Sequence, residues 1–157
     1  MRWAPIVKAM RLSEAETIYA QKYATACAFD SLGIGKDCVV LDFGVNSGPS
    51  RSIKTAQRLT GVTVDGILGS RTLAAINAYE PRDFIISMRT MRLRFLKGLA
   101  IWAAFGKGWT ARVDDLTNYS LELLKPTRFM ILSRPVRKLT RIRLAYAKSW
   151  ASTPTMV

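Results

Sequence analysis

The sequence predicts a mainly α domain of five to seven helices, extended at its C-terminus by a basic amphipathic helix. Three observations carry this reading. Short apolar-periodic segments alternate with glycine- and proline-containing turns. Apolar residues recur at three and four positions across residues 82–104 and again across 110–124. From Lys125 onward the chain holds eight basic residues and no acidic one, with Val136, Leu139, Ile142, Ala145 and Tyr146 forming an apolar stripe opposite Arg134, Arg137, Lys138 and Arg141. The expected organisation is a compact helical domain over residues 10–124 and a basic extension over 125–157.

The elements follow in order. Ser13 and Glu16 have capping-box spacing, so a helix is expected to start there and run to about Thr25, before Gly33 and Gly35 break it. Residues 37–46 are apolar in Val39, Val40, Leu41, Phe43 and Val45, with one buried-looking acid at Asp42. Their β-branched content leaves helix and strand in competition. Asn46-Ser47-Gly48-Pro49 ends that element and starts the next, a helix over 50–59 that buries Ile53, Ala56 and Leu59 and closes at Gly61. Asp65-Gly66 reads as a turn, and Gly69-Ser70 as an N-cap for 71–78.

Pro81 opens the longest expected helix, 82–104, whose inner stripe holds Ile85, Met88, Met91 or Arg92, Phe95, Leu96 and Leu99. Phe105-Gly106-Lys107-Gly108-Trp109 reads as a glycine-broken turn before a last helix over 110–124, built on Val113, Leu116, Leu121 and Leu124.

Composition bounds the chemistry. The 157 residues are 49% hydrophobic and 22% charged, and a chain of this length buries roughly 68–70% of its unfolded surface, enough for a core without disulfides or metal. No histidine is present, which removes Ser-His-Asp triads, His-paired cysteine nucleophiles and imidazole metal sites. Cys27 and Cys38 match neither a redox pair nor a disulfide framework and read as core thiols. No cofactor or metal is expected.

The 24 Lys+Arg against 11 Asp+Glu give a net charge of +13 and a pI near 10.4, so the partner is a polyanion. Nucleic acid, anionic lipid and the anionic polymers of a bacterial envelope all satisfy that field. Charge-free runs such as residues 98–106 are far shorter than the roughly 20 residues of a spanning helix, and the N-terminus lacks the apolar core of a signal peptide.

Several short motifs fall in one order: Met10-Arg11-Leu12-Ser13 leading to Ile18-Tyr19 and Tyr23, Leu41-Asp42-Phe43-Gly44-Val45-Asn46-Ser47-Gly48-Pro49, Gln57-Arg58-Leu59, Val64-Asp65-Gly66-Ile67-Leu68-Gly69, and Thr72-Leu73. Arg92 with Phe95, Phe105, Gly108-Trp109 and Arg112-Val113 continue the series. Over residues 10–124 the chain resembles the glycoside hydrolase family 108 N-acetylmuramidases of phages and bacteria, together with their C-terminal peptidoglycan-binding region. The resemblance implies a lysozyme-like helical fold, peptidoglycan as partner, and an endolysin-like role in cell-wall lysis or remodelling. Without a signal peptide, the chain is expected to be made in the cytoplasm and to act at the bacterial wall after release or export by another factor.

The family's catalytic acid is a glutamate in a Glu-Gly-Gly motif upstream of the first matching segment. Here the glutamates are Glu14, Glu16, Glu80 and Glu122, and none lies in such a motif. Glycoside hydrolysis needs a carboxylic acid placed to protonate the leaving oxygen, so no catalytic residue is assigned. A relocated acid at Asp42 is the alternative. Two cases follow: a peptidoglycan-binding remnant, or a C-terminal fragment whose catalytic part was lost by truncation or lies on another chain, including a groove completed by a homo-oligomer.

The candidate substrate-binding residues are Asn46, Ser47, Tyr23, Trp109 and Arg112. Asn46 and Ser47 offer amide and hydroxyl groups for sugar, or else cap a helix. Tyr23 stands where the family favours an aromatic pair, but Ala24 follows it here. Trp109 either stacks on a sugar or plugs the core. Arg112 pairs with Asp42 or Asp115, or meets peptide carboxylates of the wall. The alternative function is a basic protein acting through residues 125–157 on nucleic acid, non-specifically, or on an anionic membrane surface.

Overall fold

The computed structural model describes residues 11–125, which form helices joined by turns and loops, with no strand among them. Six α-helices follow one another: α1 (Leu12–Ile18), α2 (Lys36–Ser47), α3 (Pro49–Thr60), α4 (Ser70–Ala78), α5 (Pro81–Lys97) and α6 (Trp102–Glu122). A π-helical segment, Tyr19–Ala24, continues α1. The expected mainly α domain is what forms. The basic helix expected over 125–157 lies, after Lys125, outside the described residues.

The start of α1 differs from expectation. Its first residue is Leu12, and the Glu14 carboxylate accepts from the Arg11 backbone N–H at 2.9 Å, so Glu14 rather than Glu16 closes the N-terminus. Ser13 sits inside the helix, where its carbonyl accepts from the Thr17 hydroxyl at 2.8 Å. The three-residue spacing between an amide and a carboxylate governs the cap, and Arg11 with Glu14 supplies it.

Helix wins over strand at α2, because tertiary packing surrounds this segment. Lys36 through Gly44 are buried without interruption, and α3, α5, α6 and the π-helical segment all pack on α2. A helix apolar on every side belongs at the centre of a bundle. Ser52 on α3 donates to the Val40 carbonyl at 2.7 Å and locks the two helices. Val40, Phe43, Ala56, Ile76, Phe84, Ile85 and Met88 form the main core. Cys27 and Cys38 are free thiols within it, as expected.

Lys36 is also fully buried. Its ammonium donates to the carbonyls of Ile76, Asn77 and Tyr79 at 2.8, 3.0 and 2.6 Å. Those are acceptors at the C-terminal end of α4, which a cation stabilises. Burial lowers the Lys36 pKa from its ordinary value, and the nearby charge of Glu80 opposes that shift.

The helix expected over 82–104 breaks instead at Lys97, and residues 98–101 form a tight turn in which the amide of Trp102 donates to the Leu99 carbonyl at 2.9 Å. The glycine-broken turn expected at 105–109 is helical, inside α6. A helical glycine costs about 1 kcal/mol relative to alanine, but Gly106 makes room for a neighbour. A Cβ there would lie 2.6 Å from the Trp102 indole. Leu93, Leu96 and Val113 form a second small core, with Trp102 and Trp109 packed against it. Ser70 is the first residue of α4, which has no side-chain cap, so the expected hydroxyl cap is absent there. No described helix is long and apolar enough to cross a membrane.

Candidate functional site

Asp42, on the central helix, is 5% exposed and joins three helices. Arg92 of α5 donates from Nη1 to its Oδ2 at 2.6 Å, and Arg112 of α6 from Nη2 to its Oδ1 at 2.6 Å. Each carboxylate oxygen thus receives a charge-assisted bond, the strong class of hydrogen bond. The Arg92 guanidinium also lies 5.3 Å from the centroid of the Phe43 ring. The triad holds two cations against one anion, and the Nε–H groups of Arg92 and Arg112 are buried without a partner among the described residues. Arg92 occupies a position in the α5 stripe that sequence periodicity gave equally to Met91.

One turn beyond Asp42, Asn46 donates from Nδ2 to the Asp42 carbonyl at 2.7 Å. That bond fixes the amide while leaving the residue exposed at the surface. Ser47, half-buried, ends α2, and Gly48, with φ of +89°, turns the chain directly into α3. Asn46 and Ser47 therefore do terminate a helix, and they do so at the surface above the Asp42 triad. Arg112 reaches the same place from α6, choosing Asp42 of the partners open to it from sequence.

Tyr23 and Trp109 each pack on a core, and Trp109 lies one turn before Arg112 on α6. Tyr23 lies in the π-helical segment, packed partly on the main core and 5.8 Å from Tyr19. Trp109 packs on Leu93, Leu96 and Val113, with the Phe105 ring stacked on it at 5.8 Å and Trp102 at 6.2 Å. Asn46 and Arg112 both bond Asp42, Asn46 at its carbonyl and Arg112 at its carboxylate; Tyr23 and Trp109 pack on the cores.

Sequence reasoning missed Arg51. It is exposed on α3, just after Ser47 in the chain, and its guanidinium sits 4.2 Å from the centroid of the Phe95 ring. Arg51, Lys54 and Arg58 recur at three and four residues, so α3 carries a basic outer face. The signal was present as a spacing of cations opposite Ile53, Ala56 and Leu59.

A second polar centre holds the loop between α3 and α4. Gln57, fully buried, accepts from the Gly66 amide at 2.8 Å and donates toward Asp65 Oδ1, the Ile67 carbonyl and Thr72 Oγ1 at 2.7, 3.0 and 3.2 Å. Asp65 in turn accepts from the Ile67 amide at 2.8 Å. That backbone bond, followed by the Gln57 bond, lowers the Asp65 pKa from its ordinary value. Gly66 has φ of +82°, and a Cβ there would meet Ser50 Oγ at 2.5 Å. The motif residues Gln57, Asp65, Gly66 and Thr72 therefore build a rigid loop.

Five further acids have structural partners. Glu14 closes the start of α1, Glu80 accepts from the Asp83 amide at 2.7 Å to cap α5, and Glu122 meets the Lys125 ammonium at 2.6 Å. Asp114 pairs with Arg89 at 2.6 Å. Asp42, the alternative acid, has both oxygens taken by guanidinium groups.

Known proteins place this arrangement. Residues 51–114, from the basic face of α3 to the α5–α6 pair, match a family described as a predicted peptidoglycan domain. No curated protein matches the chain. Among solved structures, SagA of Brucella abortus is 37% identical, with a TM-score of 0.76 over 79% of this chain and 71% of that one. At that identity and coverage, the chain belongs to the family that includes Brucella abortus SagA.

Proposed function

We propose that this domain binds the glycan strand and stem peptides of peptidoglycan across the end of α2 and the outer face of α3, within wall lysis or remodelling. The observation that carries this reading is the cationic row Arg51, Lys54 and Arg58 on α3, whose first turn follows directly on Asn46 and Ser47, inside or beside the segment that matches the peptidoglycan family. Amide and hydroxyl groups pair with N-acetyl and ring hydroxyl groups. Arginines pair with the carboxylates of the stem peptides. Arg112, the most exposed member of the Asp42 triad, edges the same surface.

In this reading the domain recognises the wall and does not itself protonate the glycosidic oxygen. A general acid must present a protonated carboxyl to the leaving group, and the helix-end bonds of Glu14 and Glu80 and the two guanidinium partners of Asp42 support a structural role for these three.

The test is sedimentation with insoluble purified peptidoglycan, run beside an assay for newly released sugar ends. Saturable binding without release is expected, and Asn46→Ala combined with Arg51→Glu weakens it roughly tenfold, the loss of one or two polar contacts. Binding unaffected by that pair moves the site elsewhere. Sugar release abolished by Asp42→Asn in a folded protein overturns the non-catalytic reading.

A further inference from the structure

The corner between α5 and α6 carries an exposed apolar surface made of none of the side chains assigned above to wall recognition, with Arg112 just beyond it. Ile101 is 54% exposed and Phe105 38%. Along the first turns of α6, Ile101, Ala104, Phe105, Gly108 and Ala111 are all exposed, and their spacing of three and four places them on one side of the helix. None has a polar side chain. Half-buried Arg112 and exposed Asp115 follow on that side, and the apolar face stops there.

The corner is stiff and cationic. Behind it Phe105 stacks on Trp109, and Trp109 and Trp102 pack on the small core of Leu93, Leu96 and Val113. Arg94 and Lys97, exposed in the last turn of α5, and Lys107, exposed beside Ala104 and Ala111, border it. Between Asp83 and Asp114 the chain has six basic residues and no acidic one.

We propose that this corner docks on an anionic lipid bilayer, with Ile101 and Phe105 entering the boundary between headgroups and acyl chains and Arg94, Lys97 and Lys107 meeting the lipid charge. Apolar groups with adjoining cations are the chemistry of interfacial membrane binding. The same cations disfavour two other occupants. A second copy would set basic against basic, and residues 125–157 of this chain are themselves basic without an acid. A saccharide is disfavoured on different grounds. A saccharide is held by side-chain hydrogen bonds as well as by stacking, and Ile101, Ala104, Phe105, Gly108 and Ala111 supply none.

The experiment uses the full chain carrying Ala104→Cys labelled with an environment-sensitive fluorophore; Cys27 and Cys38, at 0% and 3% exposure, stay unlabelled. Phosphatidylglycerol vesicles are expected to raise and blue-shift the emission, phosphatidylcholine vesicles to leave it unchanged. The same label at Asn118→Cys, beyond Asp115, stays silent. Ile101→Ser with Phe105→Ser, both at exposed positions, lowers partitioning roughly tenfold; circular dichroism checks its fold, and the labelled Ala104→Cys chain decides the matter if that variant does not fold. Vesicle binding with no shift at position 104 overturns the proposal, placing the contact elsewhere. So does a shift produced by soluble glycan fragments, or by raising protein concentration without lipid. None of these outcomes depends on the peptidoglycan reading.

Discussion

The Asp42 carboxylate and the Arg112 guanidinium, 70 positions apart in the chain, meet at 2.6 Å and tie the central helix to the last one. Arg92 completes the contact from the other side of the same carboxylate. Asn46 bonds the Asp42 carbonyl, so part of the surface proposed for the wall rests on a buried electrostatic joint.

Removing the shared anion leaves two guanidinium groups facing each other in a largely buried place. Asp42→Ala is expected to destabilise the domain by about 3–5 kcal/mol, the cost of breaking a buried ion pair from one side. Arg112→Ala, at the more exposed position, costs less. Urea unfolding of the two variants checks the order, and an Arg112→Ala loss equal to that of Asp42→Ala would contradict it.

Lys36 makes a comparable joint without a carboxylate. Lys36→Met keeps most of the stem's volume but deprives the Ile76, Asn77 and Tyr79 carbonyls of their donor. A net loss of about 2–3 kcal/mol is expected, since unsatisfied acceptors outweigh the relief of burying an ammonium. Hydrogen exchange then speeds selectively at the end of α4.

Burial pushes the Cys27 thiol up to about 11 from its ordinary 9.0. Between those values the unfolded thiol ionises while the folded one stays protonated, so unfolding releases a proton and rising pH favours it. The contribution is complete below pH 9 and is lost toward pH 11, roughly 2–3 kcal/mol across the window. Denaturation of the wild type and of Cys27→Ala at several pH values isolates it: the gap between them narrows as pH rises.

Gly106→Ala gains helix propensity but places a methyl 2.6 Å from the Trp102 indole. Overpacking of this kind costs about 1–3 kcal/mol, more than the roughly 1 kcal/mol returned by propensity. A net fall in melting temperature with altered tryptophan fluorescence is expected. Gly108→Ala, with open space around its Cβ, raises stability instead.

Gln57→Leu tests the loop. It leaves the Gly66 amide without its acceptor and Asp65 without its side-chain donor. A cost of about 1–3 kcal/mol follows from the buried polar groups left unpaired. Faster amide exchange confined to residues 61–69 marks the loop as the place of damage.

Local signals in the sequence determined the helical class, the turn at Gly48-Pro49, the closure at Gly61, the core thiols and the net positive field. Each depends on backbone preference, periodicity or composition, which one segment carries by itself. Tertiary structure alone decided that α2 is a helix, because its burial on every side comes from four neighbours. It also decided where α5 ends, since residues 98–101 and 105–109 both contain glycine and only the fit of Trp102 against Gly106 makes the second helical. The site divides the same way. Asn46, Ser47 and the buried acid at Asp42 were legible, whereas the choice of Arg112 and Arg92 as its partners, the covering of Trp109 by Phe105, and the placing of Arg51 over Phe95 required helices distant in sequence to be brought into contact.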